Sequence, residues 1–267
     1  MTMMTVLSNA ELRQAAPSIF AVDAHHTVSD KYEFLPTIQV VDALRAEGWM
    51  PVQAFQSKTK VPGRRDFTKH TIRFSHETRG FRDTPDSEFQ VLLTNSHLGS
   101  AAFQMAAGVY RMVCSNGMII ADSVLDTVRV RHMGAQATLD NCIEGVYRIV
   151  DNVDLVEDQV HAWRDTQLTL PMQQAFARAA LKLRWEDDAP IRAEQMLSIR
   201  RAGDRGDDLW HTFNRVQESL IRGGNRGVAS TGRRLTTRPV TSLDESNRLN
   251  KSLWALGAEM QSILAAA

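Results

Sequence analysis

Cysteine is scarce: the 267 residues hold two, Cys114 and Cys142. Two thiols do not make the disulfide framework of a small secreted domain, so a reducing compartment is expected. Long apolar runs are missing, and nothing approaches the about 18 consecutive apolar residues that a membrane-spanning helix needs. The opening segment "MTMMTVLSNAELRQAAPSIF" has no basic stretch followed by an apolar one, so no secretory signal is read there. These absences predict a cytoplasmic protein without a membrane partner. Net charge is missing too, because 31 basic residues balance 31 acidic ones. Attraction to a polyanion must then come from local segregation of charge. There is no internal repeat and no low-complexity tract.

What is present is an ordinary globular composition, 43% hydrophobic and 23% charged, in a chain long enough for one large domain or two small ones. Ser8 and Glu11 form a capping-box pair at the start of a short helix. A second helix is predicted over residues 37–47, with Val40, Val41 and Leu44 on one face and Gly48 as its stop. The period then changes. "PVQAFQSKTKV", "KHTIRFSH" and "EFQVLLTNSH" alternate apolar and polar residues and read as three strands, with Pro62-Gly63 in a turn. "SAAFQMAAGVYRMV" is rich in small residues and reads as a buried helix, followed by strand-like "GMIIAD" and "DTVRVRH".

From Ala137 onward the pattern is helical. Pro171 and Pro190 sit where first helical turns accept them. Asp207 or Asp208 caps a helix carrying Leu209, Phe213, Val216 and Leu220, and Gly223 ends it. Ser242 and Glu245 open a final helix whose Leu249, Leu253, Leu256, Met260 and Ile263 form a seam suited to core packing. The expected class is α+β. Residues 1–136 form an α+β domain with a basic antiparallel sheet, and residues 137–267 a helical region packed on it as one compact unit.

Two basic clusters stand out against the neutral background. Lys58, Lys60, Arg64, Arg65, Lys69 and Arg73 lie on the predicted hairpin, interleaved with Phe55, Phe67 and Phe74. Such a surface can track a phosphate backbone and offer stacking faces to unpaired bases. The second cluster is "IRGGNRGVASTGRRLTTRPV", with Arg222, Arg226, Arg233, Arg234 and Arg238, four glycines and no acidic residue. Glycines allow a phosphate to approach the backbone, and guanidinium groups hold it in bidentate fashion. Its "GVASTGRR" has the glycine spacing of a nucleotide-binding P-loop, but Arg233 stands at the lysine position and Arg234 at the magnesium-binding hydroxyl position. The segment also follows a predicted helix, not a strand. A nucleotide hydrolase is therefore not expected.

Other chemistry is thin. Cys114 with His97 or His132 lacks a third orienting group and reads as a buried thiol. Asp151, Asp154, Glu157 and Asp158 read as a solvated acidic face, and His25-His26 is isolated. No catalytic residue, metal or cofactor is expected.

Several segments together carry a resemblance: "VSDKYEFLPTIQVVDALRAEGW", "RRDFTKHTIRF", "LLTNSHLGSAAFQMAAGVYRMVCSNGMIIAD", "VRVRHMG", "LWHTFNRVQESLIRGGNRG" and "RRLTTRPVTSLDESNRLNKSLWAL". Over roughly residues 28–256 the chain resembles the DUF932 family, and residues 92–122 are the most specific part. The resemblance implies a phage, plasmid or integrated-element setting and supplies no catalytic residues. In outline, a basic three-stranded segment followed by a helix is similar to the β-β-β-α core of phage single-strand annealing proteins, which is a likeness of architecture alone. The expectation is a non-enzymatic DNA-binding protein of a mobile element, a homo-oligomer that prefers single-stranded DNA and acts in recombination, annealing or protection. The alternative is an interaction protein that blocks a host defence factor.

Overall fold

A computed structural model describes residues 5–28, 32, 34–84, 87–99, 103–111, 117–119, 128–130 and 135–266. Cys114 and His132 lie outside them. The chain divides into two compact units: Met1–Tyr110 with Leu125–Asp154, and Arg111–Val124 with Leu155–Ala267.

Unit 1 is α+β. It holds helix α1 (Asn9–Ala15), a 3-10 turn (Pro17–Phe20), α2 (Thr37–Ala46), and strands β1 (Trp49–Gln56), β2 (His70–His76), β3 (Ser87–Asn95) and β4 (Phe103–Arg111). β6 (Val128–Val130) and α3 (Ala135–Val150) complete the unit, whereas β5 (Gly117–Ile119), which follows β4 in sequence, belongs to unit 2. The Ser8–Glu11 capping box forms as the sequence indicates. β1, β2 and β3 make an antiparallel meander in which His70 lies opposite Gln56 and Asn95. β4 neighbours β3, and β6 pairs antiparallel with β4.

The two faces of β2 differ in chemistry. His70, Ile72 and Phe74 share one face, and all three are buried. Thr71, Arg73 and Ser75 share the other, and each meets a polar partner across the sheet: Thr71 with Thr94, Arg73 with Gln90 and Gln53, Ser75 with Glu88. A buried polar group costs free energy unless it is hydrogen bonded, and these cross-strand pairs meet that cost.

The small-residue run expected to be a helix is strand β4. Phe103, Met105, Ala107 and Val109 are buried while Gln104 and Ala106 are half-exposed, which is the period of a strand. Alanine, glutamine and methionine favour a helix locally, but ladder bonds on both sides of β4 override that preference.

Unit 2 is mainly helical: the greater part of α4 (Val153–Asp165), then α5 (Leu170–Trp185), α6 (Ala193–Met196), α7 (Leu209–Arg222), a ribbon of β7 (Arg226–Val228) and β8 (Arg234–Thr236), and α8 (Leu243–Ala265). Pro171 occupies the first turn of α5, whereas Pro190 precedes α6 and lies outside it. Helix α7 is capped by Asp208, whose side chain accepts from the His211 N–H, and is buried on nearly every side. Several of its polar side chains hydrogen bond within the unit, as where Gln217 meets Asn250 of α8 at 2.9 Å, while Trp210 Nε1 and Arg215 Nε are buried without a partner among the described residues. Trp163, Trp210, Phe213 and Trp254 form one aromatic cluster, with Trp163 and Trp254 4.5 Å apart. Gly257 admits Trp163 to α8, because a Cβ there would stand 2.6 Å from the indole. The seam of α8 is buried at Leu249 and Leu253 and exposed at Ile263. Asp151, Asp154 and Asp158 are exposed as expected, but Glu157 is buried.

Candidate nucleic-acid interface

The first basic cluster divides between two settings. Lys58, Lys60, Arg64 and Arg65 lie on the β1–β2 connection, residues 57–69, and Lys69 immediately precedes β2. Lys58, Lys60 and Arg65 are exposed, Arg64 and Lys69 half-exposed. No hydrogen bond or ion pair engages the side chains of Lys58, Lys60, Arg64 or Arg65 among the described residues. Arg73 departs from its expected role. It is buried on the polar face of the sheet, where its Nε donates to Gln90 Oε1 at 2.7 Å and Nη1 donates to Gln53. A guanidinium so engaged serves the sheet, and the exposed basic side chains of this cluster are those of the loop.

A buried hydrogen-bond relay holds that loop. Ser18 donates its hydroxyl to Gln56 Oε1 at 2.9 Å, so its oxygen must accept from His70 Nδ1, 2.7 Å away. The Thr68 carbonyl, 3.2 Å from the same nitrogen, also requires a proton there. Neutral His70 then presents Nε2 as an acceptor, and the Thr37 hydroxyl 2.9 Å away donates to it. With its one proton used, Thr37 Oγ1 accepts from Asn95 Nδ2 at 3.0 Å and from His97 Nε2 at 3.1 Å. The two histidines are therefore opposite tautomers. Burial pushes the His70 pKa down to about 4, which keeps the ring neutral. Around the relay, Gln56 Nε2 donates to the Arg65 carbonyl and the His97 N–H to the Phe67 carbonyl. The C-terminal end of the basic loop is thereby tied to the sheet, while Lys58, Lys60 and Arg64 flank the Pro62-Gly63 tip. Sequence reasoning missed this relay because its members, Ser18, Thr37, His70, Asn95 and His97, are scattered through the chain.

The second cluster is an ordered hairpin. Gly224 N–H donates to Thr237 O at 2.8 Å, Thr237 N–H to Asn225 O at 2.9 Å, and Val240 N–H to Ile221 O at 2.8 Å. Val228 N–H reaches Pro190 O at 2.9 Å, and a Cβ on Gly227 would fall 2.1 Å from that oxygen. At the base, buried Glu218 accepts from Arg201 and Arg222, each at 2.9 Å. Burial alone would raise the Glu218 pKa, but these two guanidinium donors outweigh it and hold the carboxyl low. Arg222 is thus half engaged. Arg226, Arg233, Arg234 and Arg238 are exposed, and nothing among the described residues pairs with their guanidinium groups.

Arg233, Arg234 and Arg238 line an open cleft of about 550 Å³ with Arg184, Trp185 and Pro190. Arg184 stiffens its floor: the guanidinium lies 4.6 Å over the Trp185 ring, and its nitrogens donate to the carbonyls of Leu220 and Arg238. Glu186, Asp187 and Asp188 follow at the end of α5. Asp187 pairs with Lys182 at 3.0 Å, and Asp188 accepts from Ser230 at 3.4 Å. Trp185 escaped the sequence reading because one aromatic residue at a helix end carries no period.

No helix among the described residues is long and apolar enough to cross a membrane, and none of their His, Cys, Asp and Glu side chains group in threes about a metal-sized site. No solved structure matches the chain. Two proteins of Escherichia coli (strain K12) are similar to it over 251 residues, 94% of this chain and 90% of each relative. They are the UPF0380 protein YafZ, 39% identical, and the UPF0380 protein YfjQ, 38% identical. The family described as "Domain of unknown function (DUF932)" matches residues 24–254, so the resemblance covers both units and the chain belongs to that family.

Proposed function

We propose that this protein binds DNA without acting on it chemically, prefers single strands, and works in the cytoplasm on the DNA of a mobile element. The observation that carries the reading is the cleft in unit 2, where three unpaired arginines of an ordered hairpin stand beside a tryptophan. Exposed guanidinium groups on a stiff ribbon lose little conformational freedom on meeting a phosphate, and their fork geometry matches its oxygens. The basic loop of unit 1 offers a second set of unpaired cations, Lys58, Lys60, Arg64 and Arg65. Zero net charge fits the same reading, since binding confined to local clusters limits nonspecific adhesion.

Salt dependence tests the reading. Contact with about six phosphates of a single strand makes log affinity fall with log salt at a slope of about −4, at about −0.7 per phosphate. Replacing Arg233 and Arg234 together by Ala is expected to weaken binding and make the slope shallower by about 1.4. No binding to any oligonucleotide at low salt, or an unchanged affinity in the double variant, would overturn it.

A further inference from the structure

Four of the five tryptophans, Trp49, Trp163, Trp210 and Trp254, are at most 1% exposed. Trp185 is the exception: it is half-exposed and lines the arginine cleft. Its position also costs backbone energy. Glu186, the next residue, has φ 52° and ψ −117°, and it is the one non-glycine residue with positive φ among the described residues. A side chain in that region of backbone space is strained and persists only where its surroundings impose it. Here the helix ends abruptly on Trp185, while Arg184 presses on the ring and is tied to two carbonyls of unit 2.

An indole held in this way is a flat, stiff surface beside three unpaired cations. We infer that Trp185 is a stacking platform for one unpaired nucleobase, with Arg233, Arg234 and Arg238 holding the phosphates that flank it. The ligand class is a single-stranded oligonucleotide, because a base within a duplex already has both faces covered by its neighbours. The inference rests on the proposed DNA binding and adds to it the residue that recognises the base. Arg184 acts through Trp185 as a positioning residue.

The test uses the full chain, oligothymidylate, and a chain of the same length carrying abasic sites throughout. Oligothymidylate is expected to quench tryptophan emission in the wild type, and the abasic chain is not. Trp185→Phe should abolish the quenching while keeping affinity, measured by anisotropy of a labelled strand, within about threefold. Trp185→Ala should weaken oligothymidylate about five- to hundredfold, as loss of one stacked base does, and leave the abasic chain unaffected. The four buried tryptophans report that each variant is folded. Binding of oligothymidylate without quenching, at equal affinity in Trp185→Ala, would overturn the platform and leave the DNA-binding reading standing. Failure of both strands to bind at low salt would remove both.

Discussion

Thr37 has one hydroxyl proton and three polar neighbours within 3.1 Å, so its replacement disturbs more than one bond. Thr37→Val keeps the shape but leaves His70 Nε2 without a donor, and His97 and Asn95 without an acceptor. Each buried group left unpaired costs about 1–3 kcal/mol, so a loss on the order of 3 kcal/mol in urea denaturation is expected, with Thr37→Ser close to wild type. The relay also sets a pH dependence. His70 has a folded pKa of about 4 against an ordinary 6.5, so below pH 6.5 the unfolded chain takes up a proton that the folded one refuses. Stability is complete above that value and declines as pH falls toward 4. Between pH 7 and pH 5 the decline attributable to His70 is about 2 kcal/mol. A pH series of denaturation midpoints checks this, and His70→Gln, less stable at pH 7, should show the flatter profile.

Elements whose limits are written in local chemistry are legible in the sequence. The Ser8 cap, the stop at Gly48 and the end of α7 at Gly223 stand where turn and cap chemistry puts them, and of the two candidate caps of α7, Asp207 and Asp208, it is Asp208 that serves. The three strands of the meander followed from period-two alternation. β4 did not, since its composition favours a helix and its partners lie far along the chain. The β7–β8 ribbon was illegible for a related reason: three-residue strands carry no period, and their geometry depends on Pro190, Arg184 and Thr237. The candidate site divides the same way, with exposed arginines evident from charge, but Arg73's burial and Trp185's place set by distant contacts. Two substitutions test how the ribbon and its neighbouring helix are held. A Cβ on Gly223, at φ 64°, would lie 2.6 Å from the Thr237 carbonyl, so Gly223→Ala is expected to lower stability by more than about 1 kcal/mol. Glu186→Gly relieves a positive φ and should leave the melting temperature unchanged or higher, against the entropy that glycine adds to the unfolded chain.

At the scale of the molecule, equal numbers of acidic and basic residues make local arrangement decisive. The carboxylates of Asp187 and Asp188 stand within three residues of Trp185 and oppose any anion that approaches the cleft. Lys182 neutralises Asp187 weakly, because exposed ion pairs are screened, and the Ser230 hydroxyl on Asp188 brings no charge. Asp187→Asn with Asp188→Asn is therefore expected to tighten oligonucleotide binding severalfold at low salt, chiefly through faster association, and to lose that advantage as salt rises. Stopped-flow association rates at two ionic strengths check it.

Cys142 is fully buried on α3 in unit 1, where burial pushes its thiol up to about 12. A thiol so placed is inert to alkylation until the surrounding structure opens. In a Cys114→Ser background its labelling rate therefore clocks the opening of unit 1. Four of the five tryptophans lie in unit 2, so emission during denaturation follows chiefly that unit. The placement of one cysteine and four indoles thus equips the protein with separate reporters for its two halves, and comparing them measures whether the halves open together or in turn.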